Sequence, residues 1–326
     1  MFDFIFANPI LLALALIVGL ILLVKGADWL VDGASAIAKR FHVSDIVIGL
    51  TVVAFGTSMP EFVVNMASVA NGTTDLAITN ILGSNIINVF IILGISAMIY
   101  PISSQKHCRD FDIPMSMIAG LIVLAFATIT VSNEVNGIQR WEGAILLVFF
   151  IIFMVSTMRH AKIGDSKAEV EAIQTMKTGK AVLFIGLGLI GLVVGGELIV
   201  RSAVSIATRL GVSEAIIGLT IVALGTSLPE LATSVMAAMK KNVDIALGNV
   251  IGSNIFNVFF ILGTSAVIKP LPSYNGLPVD AIMAALGSAL VWIFIKTNPE
   301  REIKRWEGAC LVLIYAGYLT YRLMTM

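Results

Sequence analysis

Residues 46–70 are twenty-five consecutive residues that carry a single charge, on Glu61. Similar apolar runs recur along the chain, and only 13% of its 326 residues are charged, against about 25% in ordinary soluble domains. Because a helix crosses the hydrocarbon core of a bilayer with about 20 residues, runs of this length predict membrane-spanning helices. The sequence therefore predicts an all-α polytopic membrane protein.

The overall charge and the cysteines argue against several other classes of protein. The 21 basic and 21 acidic residues give a net charge of zero, so no basic surface for a nucleic-acid partner is expected. Cys108 and Cys310 stand alone, without the spacing of a metal site, and are expected to be free thiols. No cofactor is expected, and the surrounding partner is the lipid bilayer.

The chain contains an internal duplication. Residues 24–101 align without a gap with residues 193–270, at a constant offset of 169 positions, and 37 of the 78 aligned pairs are identical. A further echo, RWEGA, occurs at 140–144 and again at 305–309. The chain is therefore divided into three parts: a first repeat over 1–158, a polar link over 159–180 and a second repeat over 181–326.

Each repeat contains five apolar stretches that are candidates for crossing a bilayer. They lie near 9–40, 44–70, 75–100, 111–132 and 141–158, and near 180–210, 213–239, 244–269, 277–296 and 305–323. Because five is an odd number, the second repeat must enter the membrane from the side opposite to the first. The sequence thus predicts ten transmembrane helices in two inverted five-helix repeats.

The distribution of basic residues tests this arrangement independently, since cytoplasmic loops of membrane proteins are enriched in Lys and Arg. With ten crossings, the loops on one side carry 15 Lys and Arg residues, and those on the other side carry 4. The richer side includes the link, which is therefore predicted to be cytoplasmic. Both termini are then outside, and the predicted location is the cell membrane (plasma or inner membrane).

A proline and a carboxylate interrupt the second apolar stretch of each repeat. The motif G-T-S-x-P-E occupies 56–61 and recurs at 225–230. A proline within a helix frees a carbonyl oxygen, and in a membrane such a group survives only beside protein or a polar cavity. The third stretch of each repeat adds G-S-N-x-x-N at 83–88 and 252–257, which places its Ser and its last Asn on one helix face.

These groups offer oxygen atoms as ligands, and no His or Cys stands near them in the sequence. Hard cations such as Ca²⁺ and Na⁺ prefer oxygen, whereas Zn²⁺ and copper prefer nitrogen and sulfur. In an inverted repeat the two sets converge near the bilayer midplane, where transporters hold their substrates. The candidate ligands of the two repeats are Thr57, Ser58, Glu61, Ser84 and Asn88, and Thr226, Ser227, Glu230, Ser253 and Asn257.

A purely structural interpretation competes with this one. A proline in a membrane helix is often only a kink, and Ser and Thr often only pack between helices. An intramembrane carboxylate, however, is costly and usually functional, and here it occurs twice at equivalent positions. Four further asparagines could cap helix breaks or bind ions, and the sequence does not decide between these roles: Asn80, Asn85, Asn249 and Asn254.

The paired motifs resemble the two alpha-repeats of the cation/Ca²⁺ exchanger superfamily, in its sodium/calcium exchanger branch. The resemblance extends over all ten stretches. The link is too short for the Ca²⁺-sensing domains of animal exchangers, so the chain resembles the minimal prokaryotic form. The resemblance implies an antiporter, not an enzyme, that moves Ca²⁺ against Na⁺ by alternating access.

The resemblance also implies a role for each candidate ligand, around one Ca²⁺ site with Na⁺ sites beside it. The central ligands would be Glu61, Glu230, Thr57 and Thr226. The outer Na⁺ sites would be completed by Ser58, Ser227, Ser84, Ser253 and the carbonyl groups of Ala54 and Ala223. The remaining corner would be filled by Asn88 and Asn257.

One position departs from the family pattern. Many members carry Asp where this chain has Asn257, so the site holds two formal negative charges instead of three. Two glutamates neutralise one Ca²⁺, whereas three Na⁺ would leave a net charge of +1. The number of Na⁺ ions and any K⁺ dependence therefore stay open.

Several alternative functions stay open at this point. Within transport, the two glutamates could carry protons in H⁺/Ca²⁺ exchange, or the exchange could depend on K⁺. An intramembrane hydrolase would need a nucleophile and a base, and the predicted stretches contain no His. A channel fits less well, because an inverted repeat with a compact paired-carboxylate site is typical of alternating access.

Overall fold

The computed structural model describes residues 8–72, 74–128, 137–161, 176–211, 223–274 and 276–325. Apart from four strands of two residues each, the regular structure of these residues is helical, so the predicted all-α class is confirmed. Parts of three predicted segments lie outside the described residues: the end of the fourth stretch (129–132), the centre of the link (162–175) and the beginning of the seventh stretch (213–222).

In the first repeat the helices follow the predicted stretches, but the second stretch forms two helices instead of one. These two helices meet at Ser58 with a bend of 45°. The helices are α1 (Pro9–Phe41), α2 (Asp45–Thr57), α3 (Met59–Asn71), α4 (Thr74–Ile87, Asn88–Leu93 and Gly94–Ile99), α5 (Cys108–Thr128) and α6 (Arg140–Arg159).

The second repeat has the same order of elements. The counterpart of the bent pair is described from Ala223 onwards and again breaks at the serine of the motif, Ser227. The helices are α7 (Thr178–Arg209), α8 (Ala223–Thr226), α9 (Leu228–Met239), α10 (Val243–Ile268), α11 (Leu277–Thr297) and α12 (Arg305–Thr325).

Seven of these helices are long and apolar enough to cross a membrane, namely α1, α4, α5, α6, α7, α10 and α11, and the bent α2–α3 pair makes an eighth. Within the described ranges, the other two predicted crossings do not meet this test of helix length and hydropathy. The seventh stretch is described only as the short helices α8 and α9, and α12 has the length without meeting the same measure of hydropathy. The count of ten stays a prediction.

The first helices of the two repeats, α1 and α7, pack against each other through glycines. A methyl group on Gly26 would lie 2.7 Å from the Gly188 carbonyl oxygen, and one on Gly19 would lie 3.0 Å from the Gly195 carbonyl oxygen. Gly26 is equivalent to Gly195 in the duplication, and the same offset of 169 positions relates Gly19 to Gly188 just before the aligned range. The contact is therefore reciprocal. Because the residue numbers run in opposite directions along it, the two equivalent helices are antiparallel.

Two short antiparallel sheets join loops of the two repeats. β1 (Ile102–Ser103) pairs with β4 (Glu302–Ile303), and β2 (Gly137–Ile138) pairs with β3 (Leu271–Pro272). The charge distribution assigns the loops of β1 and β4 to one side, and the loops of β2 and β3 to the other. The pairing agrees with that assignment, because paired strands must lie at the same end of the helix bundle.

The helices α4 and α10 lie at the centre of the bundle, and most of their residues are buried. Their polar residues Ser84, Asn85, Ser253 and Asn254 are at most 4% exposed. Buried polar groups in an apolar bundle need hydrogen-bond partners or a bound ion. The centre of the fold is therefore where a polar site is built.

Because the glycine contact is so close, adding a single methyl group to one of these glycines should push α1 and α7 apart. On Gly188 it would lie 2.8 Å from both the Gly26 carbonyl oxygen and the Leu30 nitrogen, whereas on Gly186 of the same helix it would meet nothing within 4 Å. Gly188→Ala should lower the melting temperature of the purified protein in detergent by roughly 3 °C or more. Gly186→Ala is the matched control, and it should leave that temperature unchanged or raise it. Equal losses in both variants would contradict the contact.

Candidate cation site

Each predicted proline kink is a break between two helices. Ser58 lies between α2 and α3, and Pro60 lies in the first turn of α3. Ser227 and Pro229 repeat this arrangement between α8 and α9. Proline is tolerated there, because the first amide groups of a helix have no partner within it. The same turn carries the carboxylate of the motif, at the end of the helix where the dipole favours negative charge.

The Glu61 carboxylate is fully buried and is held by both repeats. Its Oε1 atom accepts hydrogen bonds from the hydroxyl groups of Ser84 and Ser227, each at 3.3 Å. Ser84 belongs to α4 of the first repeat, and Ser227 belongs to the helix break of the second. Both repeats therefore contribute hydrogen bonds to this carboxylate.

The Glu230 carboxylate has the reciprocal environment. It is fully buried, and its Oε1 atom accepts hydrogen bonds from Ser58 at 2.9 Å and from Ser253 at 3.5 Å. These two serines are the counterparts of those on the other glutamate, with the repeats exchanged. Each carboxylate accepts a hydrogen bond from the serine three residues before the other glutamate, so the two lie close together and a shared cation would stabilise both.

Four buried oxygen atoms of the candidate ligands have no hydrogen-bond partner among the described residues. They are Oε2 of Glu61, Oε2 of Glu230, Oδ1 of Asn88 and Oδ1 of Asn257. Leaving a charged or polar acceptor buried without a partner costs several kcal/mol. Two carboxylate oxygens and two amide oxygens in this condition fit the ligand preference of a hard cation.

Two further asparagines orient the amide groups of Asn88 and Asn257. The Asn88 side-chain nitrogen donates to Asn254 Oδ1, and the Asn257 nitrogen donates to Asn85 Oδ1, both at 3.0 Å. The nitrogens of Asn85 and Asn254 donate to each other's backbone carbonyl oxygens, at 3.1 and 3.3 Å. With the nitrogens of Asn88 and Asn257 engaged, their carbonyl oxygens remain for a ligand.

This asparagine cluster (Asn85, Asn88, Asn254 and Asn257) decides a question that the sequence leaves open. Asn85 and Asn254 neither cap a helix break nor present free oxygens, because both of their polar atoms are used in the cluster. The signal that could have found the pair is the duplication itself. Equivalent residues close to a two-fold axis contact each other, and these two are 169 positions apart.

The same asparagines coincide with irregular turns of α4 and α10. Asn88 begins a π-helical segment, Asn88–Leu93, and Asn257 lies within another, Phe256–Leu262. π-helical turns in longer helices often occur at functional sites, because the wider turn changes where side chains emerge. No feature of the apolar pattern in the sequence predicts these turns.

The first repeat brings its threonine and its alanine carbonyl together, but that carbonyl is already engaged. Thr57 is fully buried and donates to Asn249 Oδ1 at 3.0 Å, with a longer contact of 3.4 Å to the Ala54 carbonyl oxygen. The same carbonyl oxygen accepts the backbone N–H of Ser58 at 3.0 Å. An ion at Ala54 would therefore compete with, or share, these hydrogen bonds.

The second repeat differs at the equivalent place. Thr226 is only partly buried, and its Oγ1 atom has no partner among the residues that the structure describes. Ala223 lies in α8, which is described from this residue onwards. A cavity of about 360 Å³ opens beside this end of the site. Its lining includes Met59, Pro60, Glu197, Val200, Gly225 and Pro229.

The site contains no cluster of nitrogen or sulfur ligands. Throughout the described ranges, no group of three or more His, Cys, Asp and Glu side chains could hold a metal ion. Both cysteines are free, as expected. The capacity of the site therefore rests on two carboxylates supported by neutral oxygens.

Comparison with known proteins identifies the family. The sequence matches the sodium/calcium exchanger protein family over residues 11–159 and 180–324. The chain belongs to the sodium/calcium exchanger family. The sodium/calcium exchanger MaX1 of Methanosarcina acetivorans is 34% identical over 341 residues, which cover 94% of this chain and 97% of MaX1. The inner membrane protein YrbG of Escherichia coli is 37% identical over 269 residues, which cover 80% of this chain and 81% of YrbG.

Solved structures agree with the sequence comparison. A structure of the sodium-calcium exchanger NCX_Mj soaked with Na⁺ and Ca²⁺ is similar with a TM-score of 0.83 and 32% identity. The similarity covers 96% of this chain and 99% of that one. The resemblance stated from the motifs is therefore confirmed, and the chain is a multi-pass membrane transporter of a cation/Ca²⁺ exchanger family and not an enzyme.

Proposed function

We propose that this exchanger family member is a secondary antiporter that exchanges Na⁺ for Ca²⁺ by alternating access and needs no cofactor. The observation that carries the proposal is the set of four buried, unpartnered oxygens on Glu61, Glu230, Asn88 and Asn257, taken over the described residues. Ca²⁺ takes six to eight oxygen ligands in flexible geometry. These four oxygens with the Thr57 and Thr226 groups beside them could supply such a shell.

The charge of the site favours a divalent cation. Glu61 and Glu230 supply two negative charges when ionised, which neutralise one Ca²⁺. Na⁺ ions would bind further out, at the hydroxyls of Ser58, Ser84, Ser227 and Ser253 and at the carbonyl oxygens of Ala54 and Ala223. Since Asn257 adds no third charge, three Na⁺ would leave one positive charge uncompensated, and an exchange of this stoichiometry would carry current.

The contacts between the repeats support an inverted arrangement of ten helices. The equivalent helices α1 and α7 are antiparallel, and the serine–glutamate bonds are reciprocal. A two-fold axis that relates antiparallel membrane helices lies in the membrane plane, as in many secondary transporters. We therefore keep the division into a first repeat (1–158), a cytoplasmic link (159–180) and a second repeat (181–326), with both termini outside the cell membrane.

One transport experiment distinguishes Na⁺ from two other possible coupling ions, H⁺ and K⁺. Purified protein is placed in proteoliposomes, and ⁴⁵Ca²⁺ uptake is measured with Na⁺, K⁺ or choline inside, and with an imposed pH gradient. Na⁺/Ca²⁺ exchange predicts uptake that requires internal Na⁺ and persists without a pH gradient. Uptake driven by the pH gradient alone would replace this proposal with H⁺/Ca²⁺ exchange, and uptake that also needs K⁺ would make it K⁺-dependent.

The two glutamates should be individually required. Glu61→Gln or Glu230→Gln removes half of the formal charge of the site, and we expect Na⁺-driven ⁴⁵Ca²⁺ uptake to fall about a hundredfold, since a lost charged contact costs about 3 kcal/mol. The matched control is Glu142→Gln. Glu142 is also buried, at 3% exposed, but it caps α6, where its Oε2 accepts the Gln139 N–H at 2.7 Å, and Gln can keep that bond. Near-normal uptake by either site variant would refute the shared site.

The proposed topology predicts opposite exposures for two surface lysines. Lys106 lies in the helical turn between β1 and α5, and Lys269 lies just before β3; both are exposed. In a background without native cysteines, Lys269→Cys should react with a membrane-impermeant thiol reagent in intact cells. Lys106→Cys should react only after the membrane is permeabilised. The reverse pattern, or labelling of both in intact cells, would overturn the orientation.

A further inference from the structure

The two repeats together contain the residues for two equivalent series of hydrogen bonds, each beginning at the threonine of one motif, but among the described residues only one of the two is formed. In the first, Thr57 Oγ1 donates to Asn249 Oδ1 at 3.0 Å, and the Asn249 nitrogen donates to Ser234 Oγ at 2.9 Å and to the Glu230 carbonyl oxygen at 3.3 Å. All of these groups are fully buried. This series of hydrogen bonds joins the helix break of the first repeat to α9 and α10 of the second.

The equivalent residues of the other copy make no such bonds. At the offset of 169 positions, Thr57 corresponds to Thr226, Asn249 to Asn80 and Ser234 to Asn65. Oγ1 of Thr226, the side-chain nitrogen of Asn80 and both polar atoms of Asn65 are buried without a partner in the described part of the chain. Asn65 is fully buried. These groups could form the same series, since each contains the donors and acceptors that it needs.

The two threonines differ in their access to a cavity. Thr226 lines the cavity of about 360 Å³ together with Gly225 and Pro229. A second cavity, of about 550 Å³, is lined by Gly56 and Met59 of the first repeat, but Thr57 does not line it and is fully buried. The hydrogen-bonded threonine is thus closed off from the cavity beside it, and the unbonded threonine is open to its own. An antiporter that works by alternating access must exchange these two conditions between its ends.

We propose that Asn249 and Asn80 are positioning residues that bind the Thr57 and Thr226 hydroxyls in alternation. In the conformation described here Asn249 accepts the hydrogen bond of the Thr57 hydroxyl and holds that end closed. In the opposite conformation Asn80 accepts the hydrogen bond of the Thr226 hydroxyl, Asn65 is the partner of Asn80 as Ser234 is of Asn249, and the Thr57 hydrogen bond opens. The inference rests on the proposed exchange, because it assigns the two conformations of the same site.

The chemistry of the bond explains how it acts on the site. A threonine hydroxyl has one proton and two lone pairs, so donation to the asparagine fixes the lone pairs toward a bound ion. The asparagine nitrogen in turn bonds the backbone of the helix turn that carries Glu230. Closing one end therefore orders its threonine and the opposite glutamate together, without a change in charge.

The test measures the population of the open cavity in purified protein. Val200 lines the cavity, so Val200→Cys is introduced after Cys108 and Cys310 are replaced by Ala, and its rate of reaction with a water-soluble thiol reagent is recorded in detergent. Asn249→Ala should lower this rate by about two- to tenfold, the effect of one net hydrogen bond on an equilibrium. Asn80→Ala should not lower it, and the double variant should return to the parent rate.

Three results would overturn the inference: an unchanged rate in Asn249→Ala, an equal decrease in Asn80→Ala, or a double variant that reacts more slowly than Asn249→Ala alone. Ser234→Ala and Asn65→Ala provide a second pair with the same expected signs, which decides the question if a buried asparagine variant does not fold. Na⁺-driven ⁴⁵Ca²⁺ uptake by the Val200→Cys parent separates the two proposals. Absent uptake contradicts the exchange, while the labelling rates alone decide the role of the asparagines.

Discussion

The structure depends on two carboxylates that are buried close together in an apolar helix bundle. An ionised side chain at the centre of a membrane costs about 3 kcal/mol or more, and two neighbouring carboxylates such as Glu61 and Glu230 in addition repel each other when both are ionised. Two serine hydroxyls compensate one oxygen of each carboxylate. The second oxygen of each has no partner within the described ranges. The proposed cation would compensate both, and the energetic cost of burying these two groups would then be offset only when the substrate is bound.

The duplication is what makes this arrangement possible. Each repeat supplies one carboxylate, but the serines around it come from both repeats, so neither half can build the site alone. The glycines of α1 and α7 bring the two copies close enough for this exchange of contacts. The helix breaks at Ser58 and Ser227 then put a polar turn at the level of the buried polar residues of α4 and α10. The close backbone packing and the helix breaks therefore both bring polar groups of the two repeats together at one site.

The parts of the site that lie within one short motif could be predicted from the sequence. The proline and glutamate of each motif, and the spacing of Ser84 and Asn88 on one helix face, were enough to predict an oxygen site for hard cations. The family comparison confirmed the kind of protein, and the all-α class followed from the apolar runs. The prediction of ten crossings stays open, because residues 213–222 lie outside the described residues and α12 is less apolar than the other long helices.

The remaining features depend on contacts between the repeats, which no local pattern contains. The bonds of Asn85 and Asn254 become visible only when α4 and α10 are placed side by side. The different states of Thr57 and Thr226 cannot follow from the sequence, since their motifs are nearly identical and the difference belongs to one conformation.

Locating the bound cation tests most directly whether Glu61 and Glu230 share it. Crystals grown with Sr²⁺ in place of Ca²⁺ would give an anomalous signal at the bound cation. A shared cation site predicts one strong peak within coordination distance of Oε2 of both Glu61 and Glu230, with the Oδ1 atoms of Asn88 and Asn257 turned toward the same space. A peak bound by only one glutamate, or an empty site between them at saturating Sr²⁺, would contradict it.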